Sequence, residues 1–449
     1  MAAYPNATLV QRYSRQMLVP QMDGMSGQIA LQESKVLIVG AGGIGSSAIL
    51  YMAGAGVGSL TIVDFDVVEE SNLHRQVIHD TSATHACMLK AESAASRVKA
   101  LNPNIECEII TEKLTRGNSV DIMTRKSFDL VVDATDNFDA RYLINDTCNL
   151  IGSPLVSGSA VGMEGQITVF QPCSGFACYR CLHPNPSPAE ACRSCDNAGV
   201  VGPVPGIIGV LQAVEVIKLL VKTKIVPGEA VNSHKFKNLV GRQLYYDAAA
   251  GEFHEFGLRR RNPECISCKH LYTGSSADKE SCSQELFPGD GEGGSGKTLP
   301  CSLPPSLAAK HRITASDYNT LVLVAGVPHV LLDVRSELQF GIVSLQPLFT
   351  DTESSTLLNV PYSDLMTALK SKASLISGST LPLLSSAVNS SEGAPLPVYV
   401  ICRRGVDSVK ATQLLLHEGA ALLRCDKEGA VAVFNVEGGL TAWHTQVDE

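Results

Sequence analysis

The chain has 449 residues, enough for two or three domains that each bury a core of their own. With 45% hydrophobic residues, 18% charged residues and a formal net charge of −9, it carries no face-sized basic block, which argues against direct nucleic-acid binding. The opening MAAYPNATLVQRYSRQM lacks the basic-then-apolar layout of a signal peptide, so a cytosolic protein is expected.

Residues 35–66, KVLIVGAGGIGSSAILYMAGAGVGSLTIVDFD, read as strand, Gly-rich turn, helix, strand. Gly40, Gly42 and Gly45 have the GxGxxG spacing, which lets backbone approach a phosphate at a helix N-terminus. Asp64 ends the next strand, about 20 residues on, where an acid accepts ribose hydroxyls. This is a nucleotide site, but it does not tell NAD from ATP, and a NAD-dependent oxidoreductase stays open at this point.

The next segment narrows the choice. DFDVVEESNLHRQ (64–76) puts Asn72, Arg75 and Gln76 just past the acidic strand end, and Lys90 follows on the next helix, 84–101. Hydride transfer has no need of cations there, whereas attack on the α-phosphate of ATP builds charge that they offset. Further strands are expected at 105–111, 129–135 and 154–158, with a helix at 140–151. VVDATDN (131–137) places Asp133 and Asp136 at a strand end, where open α/β sheets bind ligands and a free carboxylate suits Mg²⁺. Alternating strand and helix means a mostly parallel sheet covered on both faces. The longest apolar stretch, GIIGVLQAVEVIKLLV (206–221), is interrupted by Gln212, Glu215 and Lys218 and reads as a buried helix, not a membrane span.

The chain has 14 cysteines, which in a reducing compartment are metal ligands or reactive thiols more often than disulfides. CYRC supplies Cys178 and Cys181, and CISC supplies Cys265 and Cys268, the ligand set of a structural zinc site with no open position. Neither pair follows the strand-to-helix pattern of a redox CxxC. Cys192 and Cys195 form a third CxxC, with no fourth pair to complete a second metal set.

Composition shifts near residue 270, giving a first domain at 1–271, a Gly/Ser/Pro-rich flexible linker at 272–312 and a second domain at 313–449. Within the second domain, 374–397 reads as an exposed insertion. VYVICRRGVDSVK (398–410) then delivers Cys402 from a strand end into a loop with Arg403, Arg404 and a run of N–H groups. Such a nest stabilises a thiolate or persulfide anion. A Cys-x₅-Arg phosphatase loop has similar physics, but the sixth residue after Cys402 is Ser408.

RYSRQ (12–16), VGAGGIGS, DFDVVEESNLHRQ, DATDN and the cysteine pairs together resemble the ubiquitin-activating-enzyme-like adenylyltransferases, over about the first 270 residues. These enzymes activate ubiquitin-like sulfur carriers such as the small subunit of molybdopterin synthase. The resemblance implies a doubly wound, Rossmann-like α/β fold, a homodimer, and one structural Zn²⁺ per subunit. It implies that Arg15 reaches the neighbouring subunit's ATP, that Gly43 lies against the nucleotide, and that Arg75 and Lys90 contact phosphates. Asp64, Asp66, Ser71, Asn72, Leu73, His74, Gln76 and Asn137 complete the nucleotide-binding set, and Asp136 holds Mg²⁺. Cys195, in CDNAGVVG, matches a cysteine that forms a thioester with the carrier; some relatives have it nine residues on, where this chain has Val204.

LLDVR (331–335), the Cys402 loop and NVEGGLTAW (435–443) resemble the rhodanese family of sulfurtransferases, although its usual His-Ile-Pro-Gly-Ala stretch is not recognisable after DVRSELQFG. The pairing resembles the eukaryotic bifunctional adenylyl- and sulfurtransferases of molybdenum cofactor synthesis and tRNA thiolation. It implies adenylation of a carrier's C-terminal glycine, the carrier being the molybdopterin synthase small subunit, the ubiquitin-related modifier, or both. Sulfur transfer from a Cys402 persulfide follows, the sulfur coming from a cysteine desulfurase or another donor. A modifier activator for conjugation, without sulfur transfer, is the alternative.

Overall fold

A computed structural model describes residues 7–184, 199–224, 236–273, 276–287, 307–342, 355–370, 396–403, 405–423 and 432–447, with positions 345, 349, 384, 387 and 388. The chain divides into two compact units, Met1–Leu299 and Pro300–Glu449, each built around its own sheet.

In the first unit β1 (Lys35–Val39), β2 (Ser59–Val63), β3 (Glu106–Ile110), β4 (Leu130–Asp133) and β5 (Leu155–Val161) run parallel. Their order is β3-β2-β1-β4-β5, continued by an antiparallel meander of β6 (Glu164–Phe170), β7 (Arg242–Asp247) and β8 (Glu252–Gly257). β2 and β4 are buried along their whole length, as strands covered on both faces must be. The order reverses between β1 and β4, and at such a switch the carboxyl ends of the strands leave a crevice.

The helices Gly43–Ala55 and Pro203–Lys224 pack beside that crevice. They touch backbone to backbone: a Cβ on Gly209 would come within 2.1 Å of Ile44 O, and Ser47 Oγ donates to Gly206 O at 2.8 Å. Pro203–Lys224 is long and apolar enough to cross a membrane by composition, yet most of its apolar window is buried in the unit. Its polar interruptions are used inside. The Gln212 amide donates to Asp133 O at 2.7 Å and Val156 O at 3.2 Å, and the Glu215 carboxylate accepts the Leu239 N–H at 2.7 Å.

Two elements differ from the sequence expectation. The helix expected over 84–101 is two, Thr81–His85 and Lys90–Leu101, broken where Cys87 takes φ 49°. The break starts the second helix at Lys90, whose N–H is held by Asp66 O at 2.8 Å. Within 272–312, Ser276–Leu286 is a helix packed on Phe138–Ile151, with Cys282 and Leu286 buried. Those two apolar residues stand at i, i+4, too few to register as a period amid Ser, Glu and Lys.

The second unit has five parallel strands in the order β11-β10-β12-β13-β9, where β9 is Arg312–Ile313, β10 Val330–Asp333, β11 Thr356–Asn359, β12 Val398–Ile401 and β13 Val433–Val436. Alternate residues feed two cores. Val330, Leu332, Val398 and Val400 face Ala411 and Leu415, while Leu331, Tyr399 and Ile401 face Tyr318 and Trp443. Most of 374–397 lies outside the described residues, but Leu384 and Val388 are fully buried in the first of these cores, so that stretch is not wholly an exposed insertion.

Candidate active sites and metal centre

The glycine loop is shaped by close contacts. Gly40 has φ 100°, and a Cβ there would come 2.7 Å from Ala134 O; one on Gly45 would come 2.1 Å from Gly40 O. The first glycine therefore lets β1 turn against β4, and the third lets the helix sit on its own loop. Asp64, at the end of β2, accepts the Ala41 N–H at 2.7 Å and the Asp66 N–H at 2.9 Å. Burial pushes the Asp64 carboxyl above its ordinary pKa, against the pull of Lys90 and of these N–H groups. Lys90 is buried and pairs with the exposed Asp66 at 2.8 Å.

Arg75 donates through Nη2 to Asn72 Oδ1 at 2.7 Å and through Nη1 to Ser71 O at 3.4 Å. It flanks Gly43, where a Cβ would meet Pro205 at 3.2 Å and the Arg75 stem at 3.5 Å. His74 is exposed, with Nε2 2.7 Å from Arg75 Nη1; slight burial and the Arg75 charge lower its pKa. Leu73 is half-buried, and Ser71 is exposed. Gln76 lies beside Gly42, with Oε1 buried and without a partner among the described residues. The structure thus gathers the 71–76 segment, Lys90, Asp64 and the glycine loop round one crevice.

At the end of β4 the two acids separate in role. Asp136 is exposed, and Asn137 caps the Phe138–Ile151 helix by accepting the Ala140 N–H at 2.8 Å. Asp133 is not the free carboxylate its position suggested. It is fully buried, accepting from Ser157 Oγ at 2.7 Å and Thr135 Oγ1 at 2.6 Å, with Arg141 Nε 3.4 Å away. Arg15 is exposed near the end of the Ala7–Met17 helix. Cys195 lies outside the described residues.

One residue behind the loop escaped the sequence reading. His79 is buried, with Nε2 3.0 Å from Ala41 O and Nδ1 2.9 Å from Ser93 Oγ. A lone histidine carries no spacing that would single it out.

Cys178, Cys181, Cys265 and Cys268 come together in a buried cluster, their sulfurs all within 4.8 Å of one another. The shortest separations are 3.5, 3.7 and 3.8 Å. A disulfide needs about 2.05 Å, whereas a tetrahedron of ~2.3 Å metal–sulfur bonds has an edge of about 3.8 Å. The donor set therefore fits a closed tetrahedral metal site. The Asn262 N–H points at Cys181 Sγ (3.4 Å) and the Asn145 amide at Cys178 Sγ (3.9 Å), the outer contacts that fix ligand orientation.

In the second unit Cys402 follows β12 and is 3% exposed. The Gly405 N–H donates to its Sγ at 3.1 Å, and the Ser408 hydroxyl lies 3.3 Å away on the Val406–Leu423 helix. Gly405 turns the loop at φ 83°, and the pair Gly438–Gly439 closes on it: a Cβ on Gly439 would come 2.1 Å from Cys402 O. The Leu440 N–H binds that same carbonyl at 2.9 Å. Arg403 is exposed and Arg404 lies outside the described residues. LLDVR is a buried brace: the Arg335 guanidinium grips Asp333 at 2.6 Å, and Asn359 Nδ2 donates to Asp333 O at 3.0 Å and Arg335 O at 2.9 Å.

Residues 13–267 match the ThiF family. The chain is 38% identical over 453 residues to the adenylyltransferase and sulfurtransferase MOCS3 of Sus scrofa, covering 99% of this chain and 88% of that one. It is 38% identical over 448 residues to the protein of the same name in Arabidopsis thaliana, covering 98% and 84%. Among solved structures, E. coli MccB with ATP is similar at 23% identity and a TM-score of 0.46, over 60% of this chain and 76% of that one.

Proposed function

The chain belongs to the ThiF family, and from that premise we propose that it is an ATP-dependent adenylyltransferase and sulfurtransferase acting on the C-terminal glycine of a ubiquitin-like sulfur carrier. The observation that carries the reading is the presence, in one chain, of a crevice ringed by Gly40, Asp64, Arg75 and Lys90 and of a cysteine cradled by an N–H and a hydroxyl. Neither feature alone demands the other. Together they match an activator that makes a leaving group and a donor that supplies sulfur.

In the first step a carboxylate oxygen of the carrier's terminal glycine attacks the α-phosphorus of ATP. The new P–O bond gives an acyl-adenylate, and pyrophosphate leaves with the electrons of the broken P–O bond. Arg75 and Lys90 offset the charge gathering on phosphate oxygens, Asp64 holds the ribose, and the glycine loop offers N–H groups at a helix N-terminus. The exposed carboxylate of Asp136 fits Mg²⁺, which when bound supplies positive charge to the phosphates. The four cysteines fit Zn²⁺ in a structural role, since no ligand position is left for substrate.

In the second step the terminal sulfur of a Cys402 persulfide attacks the acyl carbonyl and AMP departs, leaving an acyl disulfide. A further thiol attacks Cys402 Sγ and breaks the sulfur–sulfur bond; the carrier leaves as a thiocarboxylate, and Cys402 is held in a mixed disulfide with that thiol. A cysteine desulfurase is the natural class of upstream donor. The molybdopterin synthase small subunit and the ubiquitin-related modifier are the carriers, which places the chain in molybdenum cofactor synthesis and in 2-thiolation of tRNA wobble uridine. A homodimer in which Arg15 reaches the partner's nucleotide and a thioester on Cys195 belong to the same reading.

Intact mass of a carrier incubated with the protein, Mg-ATP and a sulfur donor tests it. Exchange of one oxygen for one sulfur, lost in Cys402→Ala and in Asp136→Ala, is the expected result. Release of pyrophosphate without sulfur gain would instead favour an activator for conjugation.

A further inference from the structure

We propose that His79 is the positioning residue of the nucleotide loop: its imidazole holds the Ala41 carbonyl and so turns the Gly42 N–H into the crevice. The inference rests on the adenylation reading above and adds to it a residue that need not touch ATP. His79 is 7% exposed, with one ring nitrogen on Ala41 O and the other on Ser93 Oγ. A carbonyl only accepts, so Nε2 carries the hydrogen. Burial and the Lys90 charge lower the pKa of the ring, while the Ala41 bond and Asp80 act the other way. The ring is therefore neutral, and Nδ1 accepts the Ser93 O–H.

The Ala41 residue is held at both of its backbone polar groups, its N–H by Asp64 and its C=O by His79, so the peptides before and after it are both fixed. No peptide bond among the described residues is cis, and in a trans peptide the N–H points away from the C=O. With the Ala41 carbonyl drawn inward to a buried ring, the Gly42 N–H faces the opposite way. Gly42 is the N-cap of the Gly43–Ala55 helix, and among the described residues no acceptor takes its N–H. That is the group a phosphate meets first at a helix N-terminus. Ser93 sits on the helix that begins with Lys90, so the same ring ties the loop to the phosphate-binding lysine.

The test is ATP-dependent pyrophosphate release by the full chain with a carrier, at varied ATP, for wild type, His79→Leu, His79→Gln and Ser93→Ala. Losing the bond to a buried carbonyl is expected to raise the KM for ATP about tenfold in His79→Leu, with the KM for carrier unchanged. Gln keeps a donor at the Nε2 position and should recover most of the loss, and Ser93→Ala should fall between. Calorimetric ATP binding without carrier should show the same order. An unchanged ATP KM in His79→Leu, or a loss that His79→Gln shares in proportion to a lowered melting temperature, would overturn the proposal. If wild type itself binds ATP but releases no pyrophosphate, the adenylation reading fails while the calorimetric order still judges His79.

Discussion

Burial raises the pKa of the Asp64 carboxyl, with Lys90 and the N–H groups of Ala41 and Asp66 opposing the shift. The folded chain then holds that proton more tightly than the unfolded chain. Its contribution is stabilising below the ordinary carboxylate range and is lost as pH rises through the folded value, so at neutral pH the ionised group costs stability. Asp64→Asn is expected to melt at the same or a higher temperature than wild type at neutral pH. The advantage should shrink toward about pH 4, the ordinary Asp range, while calorimetry shows ATP binding weakened; a lower neutral-pH melting temperature would contradict this account. At Cys402 the thiol donates to Ser408, but a thiolate or persulfide has no proton, so the Ser408 hydroxyl must turn and donate. Ser408→Ala should slow single-turnover sulfur transfer about tenfold, the worth of one hydrogen bond to a charged group, with pyrophosphate release intact. The glycine spacing, Asp64 and the CxxC pairs were legible because each is a pattern of residue types at fixed separation. His79 was not, and Asp133 was misjudged, because burial and partners such as Ser157 and Arg141 come from distant parts of the chain.

Among elements, the contact between Gly43–Ala55 and Pro203–Lys224 fixes the floor of the crevice. Gly209→Ala would set a methyl 2.1 Å from Ile44 O and 2.2 Å from Ser47 Oγ, both in the helix that opens with the glycine loop. Overpacking of this kind costs about 1–3 kcal/mol; a lower melting temperature accompanied by weaker ATP binding is expected, and calorimetry measures both. The parallel strands could be read from the sequence because runs such as KVLIV and DLVVDAT are apolar without alternation. The break before Lys90 could not, since an ordinary helical pattern continues through Cys87, which instead takes the left-handed turn that closes the Thr81–His85 helix, its N–H on Thr84 O and the Met88 N–H on Ala83 O. For the same reason the short helix Ser276–Leu286 declares itself only once its two apolar residues find a surface to cover.

At the scale of the whole chain, the four cysteines bring together stretches 87 residues apart in sequence, which a metal held among them would cross-link. A cross-link closing a loop of roughly 100 residues contributes about 4–5 kcal/mol in the chain-entropy account. Metal chelation, or Cys268→Ser, should therefore lower the melting transition of the first unit by many degrees. Sulfur transfer from thiosulfate by Cys402, in the second unit, should persist under the same treatment, and its loss in parallel would show that the two units do not fold separately.

The burial of Cys402 has a further effect on timing. An empty thiol is recessed, 3% exposed, whereas a loaded one carries its reactive atom one sulfur–sulfur bond, about 2.05 Å, further along the side chain. On the proposed reading of Cys402 as the sulfur donor, a partner would tell a charged donor from a spent one by reach alone. An activated carrier that arrived too early would meet no exposed nucleophile, and would be spared a thioester to a cysteine that has no sulfur to give.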